Sequence, residues 1–411
     1  MPFVADLHIH SKYSRATSKD MDIPHIAEYA KIKGIGLMGT GDFTHHLWLE
    51  ELKSVLEPTD AGLFVHEGVH FVLSAEVSSI YSKNGRTYRI HNVILAPSFK
   101  AADAINRALG AVGNLASDGR PILGLDAEEV AKIVFDADEN CILIPGHIWT
   151  PWFSLFGSNS GFDRIEDCFG KQTPKIFALE TGLSSDPAMN WRLSALDRFS
   201  LVSNSDSHSP MKIGREANVF DCAMSYYAVR DALRTKDKKK FLYTVEFFPE
   251  EGKYHYDGHR VCGVRFTPQE SLQHKGRCPK CGKPLTIGVM NRVDQLADRG
   301  EGFVPDNAIP FKSMVPLDEI IADAKQIGKG SAAVEKEYRQ MIARFGTEFE
   351  ILTQVPTQDL RRAANPRVAE GIARVRAGQV HVEPGYDGEY GIVGIFGKEE
   401  AAAGDQQMSL F

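Results

Sequence analysis

The chain has 411 residues, about 2.7 times a nominal 150-residue domain, and its 43% hydrophobic and 25% charged residues are those of an ordinary folded protein. No run approaches the ~20 consecutive apolar residues of a membrane-crossing helix. The opening Met1-Pro2-Phe3-Val4-Ala5-Asp6 lacks the basic and apolar segments of a secretory leader, and six cysteines, four of them (Cys141, Cys168, Cys222, Cys262) widely scattered, make no disulfide framework. The expectation is a cytoplasmic protein with no membrane partner. A net charge of −7 argues against a general nucleic-acid coat, yet between Lys212 and Lys283 there are 15 Lys/Arg against 9 Asp/Glu. The densest part is Arg230, Arg234, Lys236, Lys238, Lys239 and Lys240, which reads as a phosphate-binding face or as a solvated helix end.

Along the first ~220 residues, seven short apolar runs read as strands: 4–10, 36–41, 71–77, 91–96, 142–147, 176–181 and 201–206. Helical spacing between several of them, as in 23–33 and 127–136, predicts parallel strands with crossover helices. Seven units are too few for a full eight-stranded barrel, so an incomplete or distorted α/β barrel fits better. Residues 241–283, rich in Gly, Tyr, His and Cys, read as a small metal-held module. Three helices are predicted at 317–327, 331–344 and 357–375, with Asn365-Pro366 breaking or restarting the last. A hairpin follows over 379–396, then a polar tail. The implied domains are a catalytic barrel (1–240), a zinc-binding module (241–290), a mainly helical C-terminal domain that binds DNA (291–397) and a flexible tail (398–411).

The His, Asp and Glu residues fall on strand ends. Asp6, His8 and His10 alternate along the first strand and share a face. Glu76 is near the end of the third strand, His147 ends the fifth, and Asp206 and His208 end the seventh. Side chains at such ends converge on one pocket in parallel folds. His91 is the exception, since it opens its strand. Together His8, His10, Glu76, His91, His147, Asp206 and His208 exceed what one tetrahedral ion uses. Two or three divalent ions (zinc, manganese, iron or magnesium) are expected, bridged by Glu76, with Asp206, His8, His10 and Glu76 catalytic.

These motifs, Asp6-Leu7-His8-Ile9-His10 and Asn204-Ser205-Asp206-Ser207-His208 with Glu76, His91 and His147 between, resemble the PHP (polymerase and histidinol phosphatase) superfamily. The resemblance implies a distorted seven-stranded (β/α) barrel with a di- or trinuclear metal centre that hydrolyses phosphoesters. One departure stands out: the family's Thr-Asp-His reads Thr40-Gly41-Asp42-Phe43 here, leaving Asp42 or His45 as substitutes for the missing histidine. Further motifs resemble the endonuclease Q family: His147-Ile148-Trp149-Thr150-Pro151-Trp152, Glu180-Thr181-Gly182-Leu183-Ser184-Ser185, Lys253-Tyr254-His255-Tyr256-Asp257-Gly258-His259 and Pro384-Gly385-Tyr386-Asp387-Gly388. This implies a DNA repair endonuclease that nicks 5′ to deaminated bases (uracil, hypoxanthine, xanthine) and abasic sites. The alternative is a PHP-type phosphoesterase acting on a small phosphorylated metabolite, which leaves the features after residue 220 unexplained.

His259-x-x-Cys262-Gly and Cys278-x-x-Cys281-Gly, with 15 residues between Cys262 and Cys278, form two half-sites of a closed structural zinc site. His255 and His274 compete with His259 as fourth ligand. A nuclease that reads a damaged base must take that base out of the stack. Trp149, Trp152, Phe153 and Phe156 follow His147 and could wedge or stack, and Glu180, Ser184 and Ser185 offer polar groups at a strand end. The resemblance favours Glu180 and Ser184 as base readers, with Trp152 beside them. Gln407, with Leu410 and Phe411 at the end of the tail, resembles the pentapeptide that docks on the bacterial sliding clamp. The expected partners are therefore damaged DNA and the clamp. The expectation is of a monomer, cytoplasmic and nucleoid-associated.

Overall fold

The computed structural model describes residues 1–397. The clamp-binding residues Gln407, Leu410 and Phe411 lie outside the described residues. The fold is mixed α/β. All seven expected strands occur with shifted ends: β1 (Phe3–Asp6), β2 (Ile35–Gly39), β3 (Val69–Lys83), β4 (Arg86–Ala96), β5 (Ile142–Pro145), β6 (Ala178–Glu180) and β7 (Ser200–Val202), followed by β8 (Ala217–Phe220) and β9 (Phe241–Glu246). Alternate side chains feed two cores. Leu37, Val72, Val93, Ile144, Ala178 and Val202 belong to one apolar cluster. Their neighbours Met38, Phe71, Ile94, Leu143 and Leu179 belong to another, which packs against helices such as Ile23–Lys33 and Ala127–Ala137.

The expectation of uniformly parallel strands needs correction. β1, β2 and β3 are parallel, as are β6 and β7. β3 and β4, however, form a long antiparallel hairpin, and β5 runs antiparallel to β4. The turn is Asn84-Gly85, both with positive φ (54° and 77°), the two-residue connection whose twist suits a hairpin. Because β4 runs in reverse, its early residues lie at the same end as the later ones of β3. Ser78 pairs with His91, and Glu76 with Val93.

Beyond their strands, the segments after β1 and β7 join each other. Ile9 bridges Ser207 in the parallel sense, His10 N–H donates to Ser207 O at 2.9 Å, and Asp206 N–H donates to His8 O at 3.0 Å.

Residues 241–246, expected to open the zinc module, belong to the main sheet instead. β9 pairs with β8, and on its other side with Phe311–Ser313. The C-terminal region carries Leu317–Lys325, Ala332–Phe345, Glu348–Thr353, Thr357–Ala363 and Pro366–Arg376. The last expected helix is thus split at Asn365, whose side chain accepts from Arg367 N–H at 2.9 Å and restarts the helix. A buried ion pair, Lys33 Nζ to Glu348 Oε2 at 2.7 Å, ties these helices to the first helix of the chain. The expected hairpin is His381–Glu383 against Ile392–Gly394. No described helix is long and apolar enough to cross a membrane.

Candidate metal centre

The chain leaves β1 at Asp6 and carries His8 and His10 across the end of the sheet. Leu7 N–H is satisfied by the Asn204 side chain at 2.9 Å instead of a neighbouring strand. From β3 comes Glu76, fully buried, and from β4 His91. His147 and Asp206 lie just past β5 and β7, and both hold positive φ (28° and 46°). Non-glycine residues in that region are held there by their surroundings and cluster at functional sites. Gly182 (φ +63°) lies against His147, and any Cβ on it would meet the His147 Cβ at 2.4 Å.

Two sets of mutually close ligand atoms result: His8, His10, Glu76 and Asp206, and Glu76, His91 and His147. Glu76 belongs to both, and its two oxygens divide between them. Oε1 faces His91 Nδ1 (2.6 Å) and His147 Nε2 (3.2 Å). Oε2 faces His10 Nε2 (3.1 Å) and His8 Nε2 (3.6 Å). His10 Nε2 also lies 3.0 Å from Asp206 Oδ1. Six of the seven expected ligands are therefore together. His208 is beside them without belonging to either set: its ring packs on His10 at 4.5 Å, and its Nδ1 lies 2.9 Å from the backbone oxygen of Asp206 and 3.9 Å from Asp206 Oδ1.

Carboxylates hold the other ring nitrogens of His8 and His10. His8 Nδ1 lies 3.0 and 3.1 Å from the two oxygens of Glu180. His10 Nδ1 lies 3.0 Å from Asp42 Oδ1, while Asp42 Oδ2 accepts from Ser11 and Ser14. Such contacts fix the tautomer that leaves Nε2 as the ligand atom. The Nε2 atoms of His8 and His10 and Oδ1 of Asp206 are buried and without hydrogen-bond partners. Buried polar atoms in this state are costly. Several of them aimed at one another around a bridging carboxylate fit divalent cations, with imidazole and carboxylate donors and no thiolate.

Burial pushes the Glu76 carboxyl up, but the His91 imidazole and the Arg120 guanidinium win and hold it well below the usual range. Burial pushes His91 down to about 4 despite Glu76, towards the neutral form that ligates metals.

Several expectations are corrected here. Glu180, expected to read a base, has no exposed surface. It is wholly buried behind His8 and also accepts from His147 N–H (2.9 Å) and from the Asn204 side chain (2.9 Å). Trp149 and Phe156 are core residues, with the Trp149 indole donating to Asn190 Oδ1 at 2.8 Å. Asp6 does not join the ligands; it caps Ser205 N–H (3.1 Å) and Gly214 N–H (2.8 Å). Asp42 lies behind His10, and His45 stacks on Tyr13 outside both ligand sets. Ser184 is half-buried, and Trp152 is exposed, its ring edge-on to Tyr254 at 5.2 Å. Arg120 was not anticipated. Its Nη1 lies 3.1 Å from Glu76 Oε2, on a loop with no regular spacing to reveal it.

At the second cluster, His259, Cys262, Cys278 and Cys281 come together, with Cys281 Sγ 3.6 Å from His259 Nδ1. Of the competitors, His274 stacks on Phe266 and His255 is buried elsewhere. Gly263 and Gly282 follow the half-sites with positive φ, as such tight turns require.

The family model of the MJ0043 C-terminal domain matches residues 316–379. The uncharacterized protein MJ0043 of Methanocaldococcus jannaschii is 31% identical over 66% of this chain, which spans only 35% of that protein's length. The uncharacterized protein YqxK of Bacillus subtilis is 28% identical over 94% of this chain and 98% of its own. Among solved structures, the lesion-specific endonuclease PfuEndoQ from Pyrococcus furiosus superposes with a TM-score of 0.86 at 33% identity, covering 98% of this chain and 99% of that one. A complex of endonuclease Q with a 27-mer duplex carrying an abasic lesion at the active site gives 0.85 and 33%, covering 97% and 98%. Fold and neighbours together define a nuclease. The chain belongs to the endonuclease Q family.

Proposed function

We propose that this nuclease hydrolyses the phosphodiester on the 5′ side of deaminated bases and abasic sites in DNA. The observation that carries the reading is Glu76, each of whose oxygens faces a different set of ligands. Support also comes from the full-length likeness to an endonuclease crystallised on an abasic duplex. The ring of β1 to β7 is read as the distorted seven-stranded barrel, with the zinc module and C-terminal helices gripping the duplex.

His8, His10, Glu76 and Asp206 would hold one divalent ion and Glu76, His91 and His147 a second, with His208 at the margin. Ions so held would lower the pKa of water and neutralise charge on the phosphoryl oxygens. Glu180 and Asp42 keep His8 and His10 in register. Arg120, about a third exposed beside Glu76, offers a fixed guanidinium to a non-bridging phosphate oxygen. Water adds to phosphorus, the 3′-oxygen leaves and takes a proton, and the product is an extendable 3′-hydroxyl. Trp152, exposed and five residues after His147, is suited to stack on an extruded nucleotide, and Ser184 to contact its edge. His259, Cys262, Cys278 and Cys281 would hold a structural zinc with no open position. The tail residues Gln407, Leu410 and Phe411 are assigned to a sliding clamp.

The test is a duplex carrying one uracil, hypoxanthine or abasic site, incubated with the full chain and manganese, magnesium or zinc. A single nick 5′ to the lesion is expected. Intact duplex under all three metals, with turnover of a small phosphomonoester, overturns the reading.

A further inference from the structure

The basic run of the sequence is only partly a solvated helix end. Arg230 and Arg234, on the helix Tyr226–Thr235, turn into a cavity of about 430 Å³ that is also lined by Lys175 and Arg198. A single carboxylate, Glu139, lines it with them.

The cavity's place in the fold separates it from the metal centre. Cys141, Phe177 and Arg198 line it, and these residues precede β5, β6 and β7 respectively. His147, Glu180 and Asp206 lie at or just past the opposite ends of those same strands, so the cavity and the metal centre occupy opposite ends of these three strands.

The cations are held apart and only partly neutralised. Among the described residues, Lys175 and Arg198 make no ion pair. Each is backed by an aromatic ring, with Lys175 5.2 Å from the centre of Phe135 and Arg198 4.0 Å from that of Phe199. Arg230 is anchored by Nη2 to Glu139 O at 3.2 Å, while its Nε is buried without a hydrogen-bond partner. Asp231 lies 3.8 Å from Arg230 Nη1 and 3.0 Å from Arg234 Nη2 and so is divided between them. Like charges gathered around one hollow repel each other unless an anion joins them. The cavity is also of a size that takes a small molecule, and Phe135, Pro174 and Ile176 give it apolar walls.

We propose that this cavity binds a nucleoside monophosphate. Its phosphate dianion would meet the guanidinium groups of Arg198 and Arg230, which suit bidentate contact with phosphate oxygens. Its base would lie against the apolar wall. A DNA backbone fits less well, because a concave pocket admits a terminal phosphate more readily than a continuous strand.

Equilibrium dialysis of the full chain against AMP, GMP, CMP and dTMP tests this. Three proteins are compared: the natural chain, the double variant Lys175→Ala/Arg198→Ala, and Asp206→Asn, which reports on binding at the metal centre. At least one nucleotide should bind saturably to the natural chain and equally to Asp206→Asn. The double variant, with unchanged Tm, should bind it at least ~10-fold more weakly. The proposal falls if none of the four binds saturably, if the double variant binds as well as the natural chain, or if binding vanishes in Asp206→Asn. Weaker duplex binding by the double variant, with no nucleotide bound by the natural chain, would identify a DNA-backbone contact instead.

Discussion

Glu180 lies directly behind His8, with both carboxylate oxygens within 3.1 Å of Nδ1, and the same carboxylate accepts the backbone N–H of His147. One buried acid therefore positions a residue from each ligand set. Replacing it with glutamine keeps the volume but removes the charge. Such changes behind a metal ligand cost ~10–100-fold in metal affinity. Glu180→Gln should bind manganese that much more weakly in a calorimetric titration, with nicking restored in part by excess metal. Natural metal affinity in this variant would argue that Glu180 is merely structural.

Asp206 contributes an oxygen near both His8 and His10. Asp206→Asn should lower nicking by ~10³-fold or more, in line with loss of a core catalytic group, while gel shifts with a lesion duplex stay unchanged. Ordinary turnover by this variant would remove the metal centre from the mechanism.

Arg120 separates two roles by its replacements. Arg120→Ala should reduce the single-turnover nicking rate by ~10²-fold, as for loss of a donor that stabilises developing charge. Arg120→Lys should recover only part of it, because an ammonium lacks the planar fork. Equal rates for alanine and arginine at this position would restrict Arg120 to packing against Glu76.

The four residues gathered at the second cluster, His259, Cys262, Cys278 and Cys281, predict a metal count if they hold the proposed zinc. Cys278→Ser should lose one zinc per chain by elemental analysis and lower Tm, since structural zinc sites contribute folding energy outright. Zinc content equal to that of the natural chain would contradict a ligand role for Cys278.

A pH-dependent stability follows from Glu246, buried with Glu216 close by. Burial pushes Glu246 up to about 8, against hydrogen bonds from Thr244, Thr181 and Ser203. Burial and the Glu246 charge push Glu216 well above its usual value. A folded-state value above that of the unfolded chain means that folding takes up a proton. The contribution is complete below the unfolded value of ~4.3 and declines as pH rises through about 8, by a few kcal/mol. Tm should therefore fall between about pH 5 and pH 9, and Glu246→Gln should flatten that decline. Parallel Tm curves for the two proteins would show that Glu246 is not the source.

Much of the site is legible in the sequence, for a local reason. His8-x-His10 and the run from Asn204 to Asp206 need only strand periodicity and a shared sheet end to be read as ligands. The gathering of His259, Cys262, Cys278 and Cys281 needs only spacing. Asn84-Gly85 carried a further signal, since that dipeptide marks a hairpin; once the chain reverses there, His91 comes to the ligand end without difficulty.

Other features depend on contacts between distant parts of the chain, which no local pattern encodes. The inward turn of Glu180, the approach of Arg120 to Glu76 and the seating of Lys33 on Glu348 each join residues far apart in sequence. A carboxylate or guanidinium reads the same in sequence whether it faces solvent, a ligand or a buried partner. Which of these it meets is set by packing. The sequence by itself determined the chemistry available, a set of imidazoles, carboxylates and thiolates at strand ends and turns. Only the tertiary structure decided which of them gather with free ligand atoms, which stand behind those and which are core.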